Sequence, residues 1–328
     1  KNDNYRGIIP QGDGQTMTVS AQTNGTYYQS YNISFFDPWF GGKRPNSFSL
    51  NAFFSLQTGI NNNYYNSAYY NNYYNSMYGY GSYNNYYNNY ESYYDPDKYV
   101  KMFGASIGYG KRLRWPDYSF SFMAELAYTR YMLKNWQYFL ISDGNCNNIN
   151  LSLTLSRAST DNSFFPRMGS EFLLSGTFTP PYSLWEKKDY ANLATNYQSS
   201  TYQQEAQDKY RWIEYHRWEL RGRWFQSLTR DSKLVLMAHA EMGYLGHYNP
   251  NKVSPFERFQ VGGDGMTGYS IYGVDIIALR GYEDGDLDPV GSRYSIGYNK
   301  YTVELRYPII LKPSSQIYAL GFLEAGNG

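Results

Sequence analysis

Apolar and polar side chains alternate with a period of two along most of this chain, the mark of strands whose two faces meet different surroundings. Between Tyr301 and Ile309, one face carries Tyr301, Val303, Leu305, Tyr307 and Ile309, and the other Thr302, Glu304 and Arg306. Lys233 to Tyr244 divides in the same way, with Leu234, Leu236, Ala238, Ala240, Met242 and Tyr244 opposing Val235, Met237, His239 and Glu241. From Tyr215 to Phe225, His216, Trp218, Leu220 and Trp224 oppose Arg217, Glu219, Arg221 and Arg223, so the ionisable groups share a single face. The same rule predicts strands over Met17 to Thr23, Tyr31 to Phe36, Phe48 to Leu56, Lys101 to Gly110, Phe120 to Tyr131, Ile149 to Ser156, Glu171 to Phe178 and Ile317 to Ala325. That makes about eleven strands.

The connections separate two architectures that share this pattern. Short links at Asp37 to Asn46, Lys111 to Asp117, Ser159 to Gly169, Thr229 to Ser232 and Leu311 to Ser315 are rich in turn-forming or charged residues. They alternate with long links at Gly59 to Tyr99, Leu133 to Asn148, Thr179 to Tyr210 and Gly246 to Asn299, and only the hairpin around Asn24 to Tyr28 is tight on the long side. A soluble β-sandwich has shorter strands and more even loops. Short turns at one end, long loops at the other, and strands of about 9 to 11 residues with aromatic ends fit a transmembrane antiparallel β-barrel of the outer membrane. An odd strand count with two open edges, in a sequence that opens and stops within its own pattern, leads us to expect that the closing strands lie outside this segment and that the full barrel has about sixteen.

Composition narrows the function without naming it. A formal net charge of +1 over 328 residues gives no reason to expect a nucleic-acid partner. No run approaches the roughly 20 apolar residues of a membrane-spanning helix. The single Cys146 has neither a disulfide partner nor a CxxC companion. The 40 tyrosines include a segment from Asn61 to Tyr94 built almost wholly of Asn, Tyr, Ser and Gly. This insertion, bounded at 59–99, cannot form a packed core alone. It reads either as a polar outer loop or as a docking site for a surface partner, since tyrosine offers contact area at low entropic cost.

No catalytic constellation emerges. His216, His239 and His247 lack metal-ligand spacing to one another or to a cysteine, and neither a nucleophile elbow nor a P-loop is present. Asp264 and Asp275 sit in a glycine-rich loop. Glu219 and Glu241 face inward as a carboxylate pair, but Arg217, Arg221 and Arg223 beside them point to a charge network lining a lumen, to which Glu304 and Arg306 also belong. We therefore expect no enzyme, no cofactor and no bound metal.

The last long link, 246–299, holds Phe256-Glu-Arg-Phe-Gln-Val-Gly-Gly-Asp264 and then Ile277-Ala-Leu-Arg-Gly-Tyr-Glu283. The Arg280-Gly281-Tyr282 step resembles the Val/Leu-Arg-Gly-Phe/Tyr loop motif of the Omp85 superfamily. Tyr31 to Phe40, ending Phe-Phe-Asp-Pro-Trp-Phe, is similar to the strand and turn near the start of the assembly-factor (BamA-type) barrels in that superfamily, and Tyr301 to Pro308 and Gly321 to Gly326 are similar to the strands that follow its motif loop. The resemblance spans 1–328 apart from the tyrosine-rich insertion.

The resemblance implies that the loop folds into the lumen, where Arg280 packs on an aromatic ring and a carboxylate of a wall strand. Here those are Phe322 and Glu324, on the same face as Tyr318 and Leu320. Such a shielded site would favour Arg over Lys, and Gly281 would allow close backbone approach. The plain alternative is a solvated Arg in a mobile loop. The resemblance also implies periplasmic POTRA domains ahead of the barrel, a weak seam that templates incoming strands, unfolded outer-membrane protein clients, accessory lipoproteins of the assembly (BAM) machinery, outer-membrane lipid around the wall, and long loops outside the cell of a diderm bacterium. A protein translocator of the same superfamily (TamA-like or a two-partner secretion transporter) and a passive surface-binding barrel stand beside that reading.

Overall fold

The computed structural model describes residues 14–25, 27–42, 46–60, 94–136, 141–186, 188–191, 201–263, 274–283, 285–289, 294–312 and 315–328. Its main sheet comprises β1 (Thr16–Asn24), β2 (Tyr28–Asp37), β3 (Asn46–Ile60), β4 (Tyr94–Arg112), β5 (Phe120–Lys134), β6 (Gly144–Ala158), β7 (Gly169–Phe178), β8 (His216–Ser227), β9 (Val235–Gly246), β12 (Gly297–Lys312) and β13 (Ser315–Asn327). These 11 strands run in sequence order, each antiparallel to the next. Every strand read from the alternation is present.

Alternation becomes burial in a direct way. On β4 the outward row is Lys101, Phe103, Ala105, Ile107, Tyr109 and Lys111, while Met102, Gly104, Gly108 and Gly110 between them are buried. Two lysines thus bracket an apolar band about as long as a tilted strand needs to cross a bilayer. On β12, Tyr301 is 44% exposed and its neighbour Thr302 only 3%. Val303, Leu305 and Tyr307 continue the outward row, and Glu304 lies buried on the inner face.

Three elements differ from expectation. The tyrosine-rich link was expected to begin at Gly59 and end at Tyr99, but a bulge after Thr58 lets Gly59 pair with Asp95 and Ile60 with Tyr94. The start of β4 is further tied to β5, because Lys134 Nζ donates to Asp97 at 2.6 Å. Residues 61–93 of that link, with most of the segment proposed to meet a surface partner, lie outside the described residues. The link from Thr179 to Tyr210 contains two helices, α1 (Tyr182–Trp185) and α2 (Tyr202–Tyr210). The link 246–299 holds a parallel strand pair of its own, β10 (Arg258–Val261) and β11 (Val274–Ile277).

That parallel pair reveals the curvature of the sheet. The one link reaches Tyr131 on β5, Arg217 on β8 and Phe322 on β13, which the sheet permits only by wrapping around it as a barrel wall. The main core lies inside this wall rather than between layers. It joins Val100, Met102, Tyr131, Leu133 and Cys146 of the wall to Phe256, Phe259, Val261 and Ile277 of the link. The inner face was expected to carry a charge network, with the 246–299 loop folded into the lumen. The inner face is instead apolar toward the long-loop ends of β4, β5 and β6, because there it packs against protein. A second, smaller cluster of Phe165, Phe225, Val235 and Met237 fills the inside at the short-turn end.

Candidate functional site

The candidate site is the link between β9 and β12 together with the wall positions that hold it. Three kinds of contact fix it in place, and the first is apolar. Phe256 stacks on Tyr131 with ring centroids 4.1 Å apart and planes inclined by 10°. Phe259 meets Tyr298 of β12 edge-on at 4.7 Å. Both link phenylalanines are fully buried, and burying an aromatic side chain is among the largest single gains a fold can make.

The second contact is ionic and centres on Arg217 of β8. Its guanidinium meets Glu219 at 2.6 Å, Glu257 at 2.9 Å and Asp275, and lies over the Phe259 ring at 4.7 Å. Glu257, just before β10, and Asp275 of β11 come from the link, so one wall cation grips it at two places. Burial pushes the Glu257 carboxyl above the ordinary carboxylate range; Arg217 opposes this and nearby Asp275 adds to it. The inward charges were expected to form one network of Arg217, Glu219, Arg221, Arg223, Glu241, Glu304 and Arg306. They divide instead. Arg221 pairs with Glu241 at 2.8 Å, Arg306 with Glu304 at 2.7 Å, and Arg223 with Glu171 of β7 at 2.9 Å. Cross-strand register explains the separation, since Arg221 lies opposite Glu241 while Arg223 lies opposite Glu171.

The third contact is the Arg-Gly-Tyr step. The Arg280 guanidinium sits 4.2 Å from the centre of the Phe322 ring. Glu324 accepts a hydrogen bond from the backbone N–H of Arg280 at 3.2 Å, and not from the guanidinium. Its other oxygen takes the Thr302 hydroxyl at 3.2 Å and lies 3.5 Å from Lys300 Nζ. Lys300 in turn donates to the Ala278 carbonyl at 2.6 Å, so Glu324 and Lys300 hold the backbone on both sides of Leu279. Arg280 lies on Phe322 and beside Glu324, the two residues that the resemblance pairs with it, and Arg280, Gly281 and Tyr282 are exposed at the open edge of the described sheet. Gly281 also acts differently from expectation. A Cβ there would meet nothing within 4 Å, but its φ of +93° is a conformation that favours glycine. The Tyr282 carbonyl accepts from the Gly263 N–H at 3.1 Å, tying the step to the Gly-Gly turn after β10.

Sequence reasoning missed three partners, Glu257, Asp275 and Lys300, and one further contact. Lys252 of the link and Glu214, just before β8, are both buried, with Lys252 Nζ 3.6 Å from Glu214 and over the Tyr190 ring at 5.1 Å. Glu214 also accepts the Ser183 N–H of α1 at 2.7 Å. Burial holds the Lys252 ammonium below its usual range, with Glu214 and Glu186 opposing. This pair fastens the β7–β8 link to the β9–β12 link. Its only sequence signal was a lysine and a glutamate in loops, which is too common to single out.

Between the link and the wall lies a polar cavity of about 270 Å³, lined by Arg217, Glu219, Arg221, Glu241, Tyr298 and Lys300. Among the described residues no group of three His, Cys, Asp or Glu side chains could hold a metal ion. His239 lies 3.7 Å from Glu241 on the inner face, the His216 ring lies tilted against Tyr248 at 5.4 Å, and Asp264 lies outside the described residues.

With that geometry in view, comparison places the chain among known proteins. A family model described as the Omp85 superfamily domain matches residues 11–328. No curated protein sequence matches. Among solved structures, the fold is similar to that of BamA from Haemophilus ducreyi lacking POTRA domains 1–3, at 17% sequence identity and a TM-score of 0.61. The match covers 96% of this chain and 52% of that one, so the chain spans about half the length of that structure.

Proposed function

This chain belongs to the Omp85 superfamily, and from that premise we propose that it is the barrel domain of an outer-membrane protein assembly factor, one that folds other β-barrels into the membrane and performs no covalent chemistry. A strand entering hydrocarbon must have its backbone hydrogen bonds satisfied, so an unfolded client needs a strand edge to pair with before it leaves water. A barrel wall whose terminal strands part would supply that edge. The proposal includes a periplasmic part carrying POTRA domains, accessory lipoproteins, and long loops facing outside the cell.

The observation that carries this reading is the filled lumen. The β9–β12 link is packed on the wall by Phe256 and Phe259, gripped by Arg217, and seated at β13 through Arg280 and Glu324. A barrel plugged from within is poorly suited to steady conduction, and a link tied to β8 and β13 together braces wall strands that are not neighbours in the sheet order. In the full-length protein, Arg280→Ala and Glu324→Ala are expected to lower the level of assembled outer-membrane proteins. Wild-type assembly in both variants, with unchanged heat-modifiability, would count against the role. A superfamily translocator differs in its product: it would export one partner polypeptide and leave the bulk of outer-membrane proteins untouched by its depletion.

A further inference from the structure

The short-turn rim of the barrel carries cations that the fold itself does not use. Lys111, Arg112 and Arg114 lie at the end of β4 and in the turn that follows, Arg167 in the β6–β7 turn, Arg230 in the β8–β9 turn, and Lys312 at the end of β12; all six are exposed. None is in an ion pair among the described residues, although Asp161 feels the charge of Arg167. The carboxylates nearest to them in sequence are engaged by their own turns. Asp117 accepts the Ser119 N–H and Arg157 Nε, Asp161 accepts the N–H groups of Arg167 and Met168, and Asp231 lies 3.4 Å from Lys233 Nζ.

Two of these cations have a telling register. Lys111 ends the outward row of β4, one place beyond Tyr109 and paired with Phe122. Lys312 pairs with Ser315 two places beyond Ile310, which pairs with the exposed Ile317, so it ends the outward row of β12. A cation that closes an apolar row stands where hydrocarbon gives way to headgroups. The same turns project Trp115, 83% exposed, and Tyr118, 70% exposed, along with Phe164. A soluble acidic partner would explain the charge but not the flanking apolar rings.

We infer that the short-turn rim binds the phosphates of anionic phospholipid headgroups through Lys111, Arg112, Arg114 and Lys312, with Trp115 and Tyr118 anchoring the same turn at the interface. This rests on the barrel spanning a bilayer and not on the assembly role, so either can fail alone. Basic side chains at a membrane surface, here a group after β4 and Lys312 six strands further along the rim, are held by anionic lipid and loosened by salt.

The test places the full-length protein in nanodiscs of equal phosphatidylglycerol and phosphatidylcholine, then counts the lipids retained on detergent release by native mass spectrometry. The wild type should retain phosphatidylglycerol preferentially, and Lys111→Gln/Lys312→Gln should lose about fivefold of that preference for each cation neutralised. Lys111→Arg/Lys312→Arg should keep it. The wild-type measurement stands even if the glutamine variant folds poorly, because equal retention of the two lipids by wild type overturns the inference. So does full preference in the glutamine variant, or displacement of the lipid by an equal concentration of inorganic phosphate. Loss of an acidic co-purifying protein from that variant, with lipid preference intact, would give the rim to a protein instead.

Discussion

Tyr131 on the inner face of β5 and Phe256 in the β9–β12 link lie ring on ring, 4.1 Å apart and 10° from parallel, both buried. A loop residue thus completes the core of a membrane barrel from inside, and the link behaves as a packed element of the wall.

Phe256→Ala should therefore unseat the link. Truncating a buried phenylalanine costs about 3–5 kcal/mol. Part of that is the pair term, about 0.5–1.5 kcal/mol, which a double-mutant cycle with Tyr131→Ala isolates. Limited proteolysis of the folded barrel is the measurement, with cleavage inside 246–299 expected in the variant and the wall strands left intact. An uncut link in Phe256→Ala would mean that the ionic contacts suffice.

Arg217→Met is expected to do more harm than removing any single partner, because it leaves Glu219, Glu257 and Asp275 facing one another without a cation. Arg217→Lys should rescue only in part, since an ammonium cannot present a planar fork to several carboxylates. Cysteine labelling at an engineered site in the link, compared among the three proteins, reads the ranking. Equal labelling of wild type and Arg217→Met would refute it.

The buried Glu257 carboxyl gives docking a pH dependence. Burial raises it above 4.5, so between 4.5 and its raised value the docked link holds a proton that the released link does not. Stability then falls as pH rises through that window. Link protection from protease should be firmest at the acid end and weaken toward neutrality, and Glu257→Gln should flatten the profile. A profile that rises with pH, or is unchanged by Glu257→Gln, would show that another group controls it.

Gly281→Ala tests backbone conformation apart from packing. Space is open around a Cβ there, but φ is +93°, and holding an alanine in such a region costs about 1–3 kcal/mol. The Arg280 seat on Phe322 should loosen, read as faster protease cleavage inside 246–299 than in wild type, while Gly321→Ala, also with open space and without a positive φ, should be neutral. Equal effects of the two substitutions would place the cause elsewhere.

The strands were legible from sequence for a local reason. Successive side chains leave a strand on opposite faces, so a wall between two environments writes a period of two into the chain wherever it runs; Tyr301 to Ile309 displays it without interruption. The alternation of short and long links likewise exposed the two ends of the barrel. The candidate site was legible only where residues lie in the same strand or motif: Phe322 and Glu324 on one face, Arg280 and Gly281 in one step.

What the tertiary structure alone decided is which distant groups meet. Arg217 finds Asp275, 58 positions away, and Glu257, 40 away. Phe256 finds Tyr131, and Glu324 takes a backbone N–H where a guanidinium was expected. Periodicity reports what surrounds a residue on average, a property of its own strand. The seating of a 246–299 link against a curved wall depends on shape and charge matched across that wall, which no local pattern encodes.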